Sequence, residues 1–568
     1  MKAEFEKAHE VAAHRPRAGT WESPHARPLT AYPSTHELTD FVLDGGFSDP
    51  DRGVGLDNPF LAGQFFQTNK LPIGMTSQER AMVAQSLAPT ATYEMLAKIP
   101  SELVEMETPE GQDLRQRLLR GATVVFFCAG YPGKKFIYQR AAELGVKSVI
   151  IDSVESWSKN LVQEGIIAKF IGLDMNQPPK KIFEDSIAGI EALKEDPLVG
   201  ECDGICTFAD LAVPMAARLG EALGLPCLPS IAVDKTRNKY ATREAMKAYG
   251  MPVVHNYLIK NESQLEKAAE IVGFPAVLKP ISGAASLGVK KVDSAADLAA
   301  TYHELCDLLA GLRVDSGALE QVAETSNSDG DEGSHGVDAH EVISLDMVLE
   351  EYLDGDEVDI DVIMDDGKCQ FCSVSDNGPT VEPYFNESWA VLPSMLPESK
   401  VQELQDMAID ALLSVGISKG LFHVEGKYTS RGPRLVEINA RMGGGPVRTI
   451  HQHVEGVDLV VEQLFLACGI PSRPQAHEAN SAVAYGFALN EKSGVIRDID
   501  FITRREDAPK VIELQPLVEA GEHVVGPEEG MPTWLAVIVV EDETSEKAKE
   551  ECQRLMGVIA HDCASSLV

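Results

Sequence analysis

Four side chains between Gly420 and Gly445 have the types and the spacing to do chemistry together. They are Glu425, Glu437, Asn439 and Arg441, followed by Met442-Gly443-Gly444-Gly445. Leu421–Tyr428 alternates and is rich in β-formers, Thr429–Pro433 has turn composition, and Arg434–Ala440 reads as a return strand, so the segment is predicted to be a β-hairpin. Side chains two apart on a strand share a face. That aligns Glu437, Asn439 and Arg441 on one strand and His423, Glu425 and Lys427 on the other. With the turn centred near Arg431, Glu425 falls opposite Glu437. Two carboxylates facing each other across a ladder repel unless a cation sits between them. Two carboxylates and an amide offer only oxygen, the donor set that suits Mg²⁺. Arg441 adds a fixed positive charge, and the glycine run leaves the backbone N–H groups of Gly443 and Gly444 without side-chain cover. Arg448, on the same face further along, is placed to grip a substrate carboxylate bidentately. The set suits the movement of a phosphoryl group near a carboxylate. Acidic residues on a hairpin ordinarily face water; the agreement of the whole pattern on one face argues against that here.

These groups need elements to position them, and the chain is long enough to supply several domains. It has 568 residues, 44 % of them hydrophobic, which predicts that most of it folds. Its formal net charge of −38, from 50 basic and 88 acidic residues, disfavours nucleic acid and anionic membrane as general partners. An anionic ligand then needs a locally basic pocket assisted by Mg²⁺. No apolar run approaches a membrane span, and the first residues lack the apolar core of a signal peptide, so a cytoplasmic protein is expected. The ten cysteines form no framework. Cys369 and Cys372 make a CxxC within a strand pattern and are read as ordinary strand cysteines.

Residues 1–50 have little periodicity and are expected to lie over the surface or to be partly disordered, and 75–120 are patterned as helices. From Gly121 strands alternate with helices, which predicts a small parallel sheet of Rossmann type. Its first loop, Ala129-Gly130-Tyr131-Pro132-Gly133-Lys134-Lys135, lacks the full GxGxxG of a dinucleotide site. Residues 234–252 read as a helix carrying Tyr240, Arg243 and Lys247 near one side, with Lys239 at its start and Gly250 as its stop. Lys279 ends a strand, and Ser282–Gly288 is a loop of small residues whose amides can approach phosphate oxygens, although no Walker A lysine follows. Residues 313–340 are acidic and rich in Ser and Gly, and are read as a mobile insertion. A strand then brings Glu350 and Glu351 to its end, with Asp356 and Glu357 after the Gly355 turn. Val401, Leu404, Ala408, Ala411 and Leu412 form the core-facing stripe of a helix. His451 and His453 are read as structural or exposed. Strands near 481–489 and 533–541 with a final helix make a small C-terminal α/β cap.

From about Gly121 onward the order of these motifs resembles the ATP-grasp carboxylate–amine ligases, in the branch of carnosine synthase and the L-amino-acid ligases. The resemblance is carried by LVEINARMGGG at 435–445 and RNKYATRE at 237–244. It implies an α/β fold (α+β ATP-grasp) with an extension at 1–120, a Rossmann-like domain at 121–235 and an ATP-grasp lid subdomain at 236–350 that includes the 313–340 insertion. An ATP-grasp core subdomain at 351–475 and the cap at 476–568 complete it. It implies ATP and Mg²⁺ as cofactors, with Lys239 (or its rival Lys235) and Lys279 on the phosphates and Ser286 and Gly288 in the phosphate loop. Glu350, Glu351 and Leu353 would form the adenine hinge, and Glu357 would hold the ribose. Glu425, Glu437 and Asn439 would be the metal ligands, and Arg441 would hold the reacting groups, with Gly443, Gly444 and Arg448 on the substrate side. The activity implied is amide-bond formation between amino-acid substrates through an acyl phosphate, with β-alanine and L-histidine the first pair to try, in a homo-oligomer. Two departures stand out: the phosphate loop has only two glycines, and 313–340 is atypical. The alternatives are another ATP-grasp chemistry such as carboxylation, against which no biotin-carrier lysine motif is evident, and a nucleotide-binding regulator without turnover.

Overall fold

The computed structural model describes residues 101–568 except 284–287, 311, 316–317, 322–336, 339–345, 381–384, 386–387, 507, 530 and 568. The expectations for 1–50 and 75–100, and that for Ser286, lie outside the described residues. The chain divides into two units, Met1–Arg120 and Gly121–Val568. In the first, α1 (Ser101–Val104) and α2 (Pro109–Leu119) are joined through buried Arg115, which donates to the carbonyls of Val104 at 2.7 Å and Met106 at 2.9 Å.

The second unit begins with a parallel sheet of β1 (Thr123–Phe127), β2 (Lys147–Ser153), β3 (Lys169–Leu173) and β4 (Gly204–Cys206) in the order β3-β2-β1-β4. β1 is buried throughout and apolar after Thr123, as suits a parallel strand covered on both faces. The connecting helices are α3 (Lys135–Glu143), α4 (Pro179–Glu191) and α5 (Val213–Leu223). The chain leaves β1 toward β2 on one side and returns to β4 on the other, so the carboxyl ends of β1 and β4 flank a topological switch point.

The helix read with Lys239 at its start and Gly250 as its stop has those bounds, and the residues before Asn238 belong to a second helix. α6 (Ser230–Arg237) ends at Asn238, which caps α7 (Lys239–Tyr249) by accepting from the amide of Ala241 at 2.9 Å, and Gly250 closes α7 in the left-handed conformation. Next come β5 (Asn256–Ile259), α8 (Leu265–Val272), β6 (Ala276–Pro280), β7 (Lys290–Val292) and α9 (Ala295–Ala310). Of the 313–340 stretch read as a mobile insertion, residues 316–317, 322–336 and 339–340 lie outside the described residues. β8 (Leu312–Asp315), β9 (Ala318–Gln321) and β10 (Val337–Asp338) form a three-stranded antiparallel sheet in which Asp315 pairs with Ala318. In the sequence the strand signal for this described part is Val314 and Leu319 either side of Ser-Gly. β11 (Met347–Glu351) then completes a four-stranded antiparallel sheet, β5-β11-β6-β7.

The largest sheet has eight strands. It takes in β12 (Asp356–Asp365), β13 (Lys368–Asn377) and β14 (Trp389–Leu392), followed by α10 (Glu398–Ser414), β15 (Gly420–Thr429) and β16 (Gly432–Asn439). After α11 (Val447–Val454) and α12 (Leu459–Ala467) come β17 (Ala482–Leu489), a two-strand pair of β18 (Gly494–Val495) and β20 (His523–Val524), α13 (Asp500–Thr503), β19 (Val511–Pro516), β21 (Trp534–Asp542) and α14 (Ser545–Ser566). The order is β16-β15-β12-β13-β14-β17-β21-β19. The segment read as a C-terminal cap therefore extends the sheet that carries the hairpin. The α10 stripe is core: Leu404, Ala408, Ala411 and Leu412 pack on Ile360, Val424 and Leu435. Each fully buried leucine contributes roughly 1.5–3 kcal/mol.

Two glycines at the ends of β12 separate conformation from contact. Gly355 has φ +91°, and a Cβ there would lie 2.1 Å from the Tyr428 carbonyl oxygen, whereas Gly367 has φ +74° with nothing within 4 Å. Alanine at either site carries the left-handed penalty of about 1–2 kcal/mol. Only Gly355→Ala must also push β15 away. In urea titrations Gly355→Ala is expected to lower the midpoint clearly more than Gly367→Ala; equal midpoints would contradict the close approach.

Candidate active site

The cleft lies between the four-stranded sheet and the hairpin and encloses about 1290 Å³ including its open mouth. β15 and β16 set Glu425 directly opposite Glu437 and His423 opposite Asn439. A bulge follows, since Gly426 pairs with Leu435 and leaves Val436 as the extra residue. The Val436 carbonyl accepts from Arg243 Nη2 at 2.6 Å. Asn439 Nδ2 donates to Glu425 Oε1 at 3.1 Å and to Glu437 Oε1 at 3.4 Å, so the two carboxylates and the amide converge on one point.

Lysines meet this acidic point from the opposite wall. Lys239 opens α7, its amide bonded to the Ile281 carbonyl at 2.8 Å, and its ammonium is 2.6 Å from Glu437. Burial would raise the Glu437 pKa. The charge and hydrogen bond of Lys239, with Lys279 and Arg441 behind, hold it down at about 2. Lys279 is 2.7 Å from Glu350, and Arg243 reaches the same carboxylate at 2.9 Å. Burial opposes ionisation of Glu350, yet Arg243 and Lys279 keep its pKa below the ordinary value. Burial also depresses the Lys279 pKa; Glu350 opposes this, while Arg243 and Lys239 add repulsion. Cations thus crowd one wall of the cleft in a chain that is acidic as a whole.

The other expected residues fall as follows. Lys235 sits within α6 and does not line the cleft, whereas Lys239 does. Gly288 is left-handed, φ +73°, and a Cβ there would lie 3.1 Å from the Pro280 ring. The Glu350 side chain is buried in its ion cluster. Glu351 accepts from the His255 amide at 3.0 Å and pairs with Arg431 at 2.9 Å. Leu353 and Glu357 line the cleft, with Glu357 3.0 Å from Lys427. Arg441 lines it too, donating to Asp210 at 3.2 Å, to the Met442 carbonyl at 2.9 Å and to Asn439 Oδ1 at 3.4 Å.

The glycine run divides in its role. Gly444 is open, but a Cβ on Gly443 would lie 2.7 Å from His423 Nδ1, so Gly443 makes room for a packed histidine. Arg448, expected to clamp a substrate carboxylate, is a correction. Asp458 binds its fork bidentately at 2.7 Å for both contacts, and its guanidinium stands 5.6 Å from the centre of the Phe136 ring. Arg140 reaches the same aspartate at 2.8 Å, so Arg448 fastens α11 to α3.

Three features escaped the sequence reading. Arg243 was placed on the face of α7 but given no partner; its i, i+4 spacing from Lys239 was the available signal. Asp359 lines the cleft opposite Glu425 on β12. Behind it runs a buried chain: His423 is 3.1 Å from Asp361, and His451 bridges Asp361 at 2.9 Å and Glu455 at 2.7 Å. The alternation of Val358-Asp359-Ile360-Asp361 marked a strand face of buried acids. Among the described residues no group of three His, Cys, Asp or Glu side chains is arranged to hold a metal ion. The hairpin set differs in that its third donor is an amide. Cys369 and Cys372 lie on β13 as free thiols.

Residues 312–450 match the ATP-grasp domain and residues 138–227 the ATP-grasp N-terminal domain. These matches show that the chain contains ATP-grasp domains. Carnosine synthase 1 of Gallus gallus is 30 % identical, the match covering 78 % of this chain and 44 % of the relative. Carnosine synthase 1 of Homo sapiens is 29 % identical over 63 % of this chain and 42 % of its own length. The chain thus spans less than half the length of these relatives. The crystal structure of an L-amino acid ligase from Bacillus licheniformis shares the fold, with a TM-score of 0.61 at 20 % identity over 77 % of this chain and 97 % of that one. No helix among the described residues is long and apolar enough to cross a membrane.

The buried chain carries a pH dependence. Burial disfavours the charged imidazole of His451, but its bonds to Asp361 and Glu455 push its pKa up to about 9. A raised folded pKa gives stability that is complete below the unfolded value, roughly 6.5, and is lost as pH rises through the folded one. The limb is on the order of 3 kcal/mol at most. Denaturation midpoints of the wild type should fall on going from neutral pH to above pH 9, and His451→Gln should show a flatter alkaline limb. Parallel limbs would mean that His451 is neutral in the fold.

Proposed function

We propose that this chain is an ATP-dependent carboxylate–amine ligase that joins amino-acid substrates in an amide bond through an acyl phosphate, releasing ADP and phosphate. The observation that carries this reading is the convergence of Glu425, Glu437 and Asn439 beside Arg441, within one cleft with Lys239 and Lys279. The carnosine synthases and the L-amino acid ligase to which the chain is similar support it.

The donor set fits magnesium: two carboxylates and an amide oxygen, all hard oxygen ligands. Asn439 turns Nδ2 toward the carboxylates and Oδ1 toward Arg441, so holding a cation needs the amide turned over. Magnesium, when bound there, supplies neutralisation of the charge that builds up as two anions meet. Lys239 and Lys279 would hold ATP phosphates, the Gly283–Gly288 loop would cover them, and Leu353 and Glu357 would take the adenine and ribose. Arg441 would orient the substrate carboxylate for attack on the terminal phosphate, and an amine would then displace phosphate from the acyl group. The acyl phosphate hydrolyses readily, so the cleft must exclude water while it exists.

The test is the nucleotide product. ADP and phosphate are expected only with both a carboxylate and an amine present, β-alanine with L-histidine first and then a panel of amino-acid pairs. Hydroxylamine should yield a hydroxamate when the amine is omitted. AMP with pyrophosphate would mean adenylation and would overturn the reading. Glu437→Gln and Asn439→Ala should each lower turnover by about 10²–10³-fold with circular dichroism unchanged. Arg441→Met should lose carboxylate activation while binding ATP, because the arginine serves charge that develops in transfer.

A further inference from the structure

The loop after β1 lacks a dinucleotide fingerprint, yet it is built around one side chain. Gly130 is left-handed, φ +70°, and a Cβ there would lie 2.9 Å from Lys134 Cδ, so only glycine lets the lysine stem fold back over the loop. Trp157 Nε1 donates to the Gly130 carbonyl at 2.7 Å and fixes that turn. The Lys134 ammonium then points across the switch point, donating to the carbonyl of Phe208 just beyond β4, with the Tyr131 ring centre 5.7 Å away. Among the described residues no carboxylate lies within ion-pairing distance of it.

Its charged neighbours make that unusual. Asp210, also beyond β4, is shared by Arg237 at 2.7 Å and Arg441 at 3.2 Å. Glu437, which also feels the charge of Arg441, is taken by Lys239. Lys134 is thus a third cation beside a carboxylate that already serves two. Burial, and then repulsion from Arg441, push its pKa down to about 8, only partly offset by Asp210. Crowding a half-buried ammonium near a guanidinium is costly, and an anion arriving beside them offsets that cost. The place is the crevice outside the carboxyl ends of β1 and β4, where open α/β sheets take their ligands.

We propose that Lys134, together with Arg441, receives a carboxylate of an amino-acid substrate at this switch point. The inference rests on the ligase reading above. The carboxylate could belong to the acyl donor or be the α-carboxylate of the amine substrate, and kinetics separates the two.

The experiment compares wild type, Lys134→Met, Lys134→Gln and Lys134→Arg with whichever amino-acid pair gives ADP release. KM is measured for ATP, for the acyl donor in the hydroxamate assay, and for the amine substrate. Loss of one charge-assisted hydrogen bond should raise KM for one amino-acid substrate by about 10- to 100-fold, leaving KM for ATP unchanged. The substrate whose KM rises identifies the source of the carboxylate. Lys134→Gln keeps a donor for Phe208 but no charge and should behave like Lys134→Met, while Lys134→Arg should recover much of the affinity. A glutamine variant with wild-type KM values, or unchanged KM for both amino acids in Lys134→Met, would reduce Lys134 to a loop fastener and overturn the inference with the ligase reading intact. Wild-type protein that releases AMP, or no ADP with any pair, would overturn both.

Discussion

Glu425 and Glu437 face each other in register, and the surroundings of the cleft answer that repulsion. The repulsion is relieved by the Asn439 amide, which donates to both, and by Lys239, which pairs with Glu437. Lys239 can reach only because Asn238 starts α7 at that point and because the Ile281 carbonyl holds its amide beside the end of β6. The same helix carries Arg243, which ties Glu350 of β11 to the carbonyl freed by the hairpin bulge. One like-charge pair on an edge hairpin therefore fixes how the four-stranded sheet and α7 stand against the eight-stranded sheet. Removing one partner from such a buried set costs more than the set contributes whole, since it strands a charge.

Beneath the carboxylates lies a second constraint. Asp359 and Asp361 alternate on β12 and point at His423 of β15, whose pKa burial lowers and the two aspartates raise, to about 10. His451 extends the chain to Glu455, and Ser373 of β13 closes it at 2.7 Å. The chain joins β12, β13, β15 and α11 without water-exposed groups at its centre, where a satisfied network rigidifies. Gly443 belongs to it as well: the glycine that leaves an amide uncovered also clears the volume that His423 fills. A glycine read from sequence as serving a ligand serves packing at the same time.

What could be read in the sequence was what depends on neighbours along the chain. Strand alternation placed the hairpin and its register, and the stripe Leu404, Ala408, Ala411, Leu412 was core as its period required. Lys239 and Gly250 bounded α7 as read, but the helix before Asn238 was not told apart from it, because Arg237 and Lys239 are both good helix residues and only the cap chemistry of asparagine interrupts them. Two kinds of fact were not available. Sheet order across hundreds of residues is one, and it joined β17, β21 and β19 to the core sheet. Competition for a side chain is the other. Spacing put Arg448 on the right face, but nothing in spacing says that Asp458 takes its fork first.

The chain must make its anion site by local means. A formal charge of −38 repels a polyanion at long range, and at physiological salt that field is screened within about 8 Å. In the cleft the balance is struck by Lys239 from α7, Lys279 from β6 and Arg441 after β16, with Arg243 from α7, Arg237 from α6 and Lys134 after β1 outside its lining but close to the carboxylates these share. They come from separate elements, so none can be moved without the others feeling it. Their carboxylate partners are fewer and shared, with Glu350 between Lys279 and Arg243 and Asp210 between Arg237 and Arg441. Each shared carboxylate keeps its cations tolerable while leaving them under-compensated. Cations fully matched by their own partners would be stable and inert toward a ligand, whereas these remain able to exchange part of a protein contact for phosphate or carboxylate oxygen. The same sharing that leaves these cations crowded is what suits them to bind an anion.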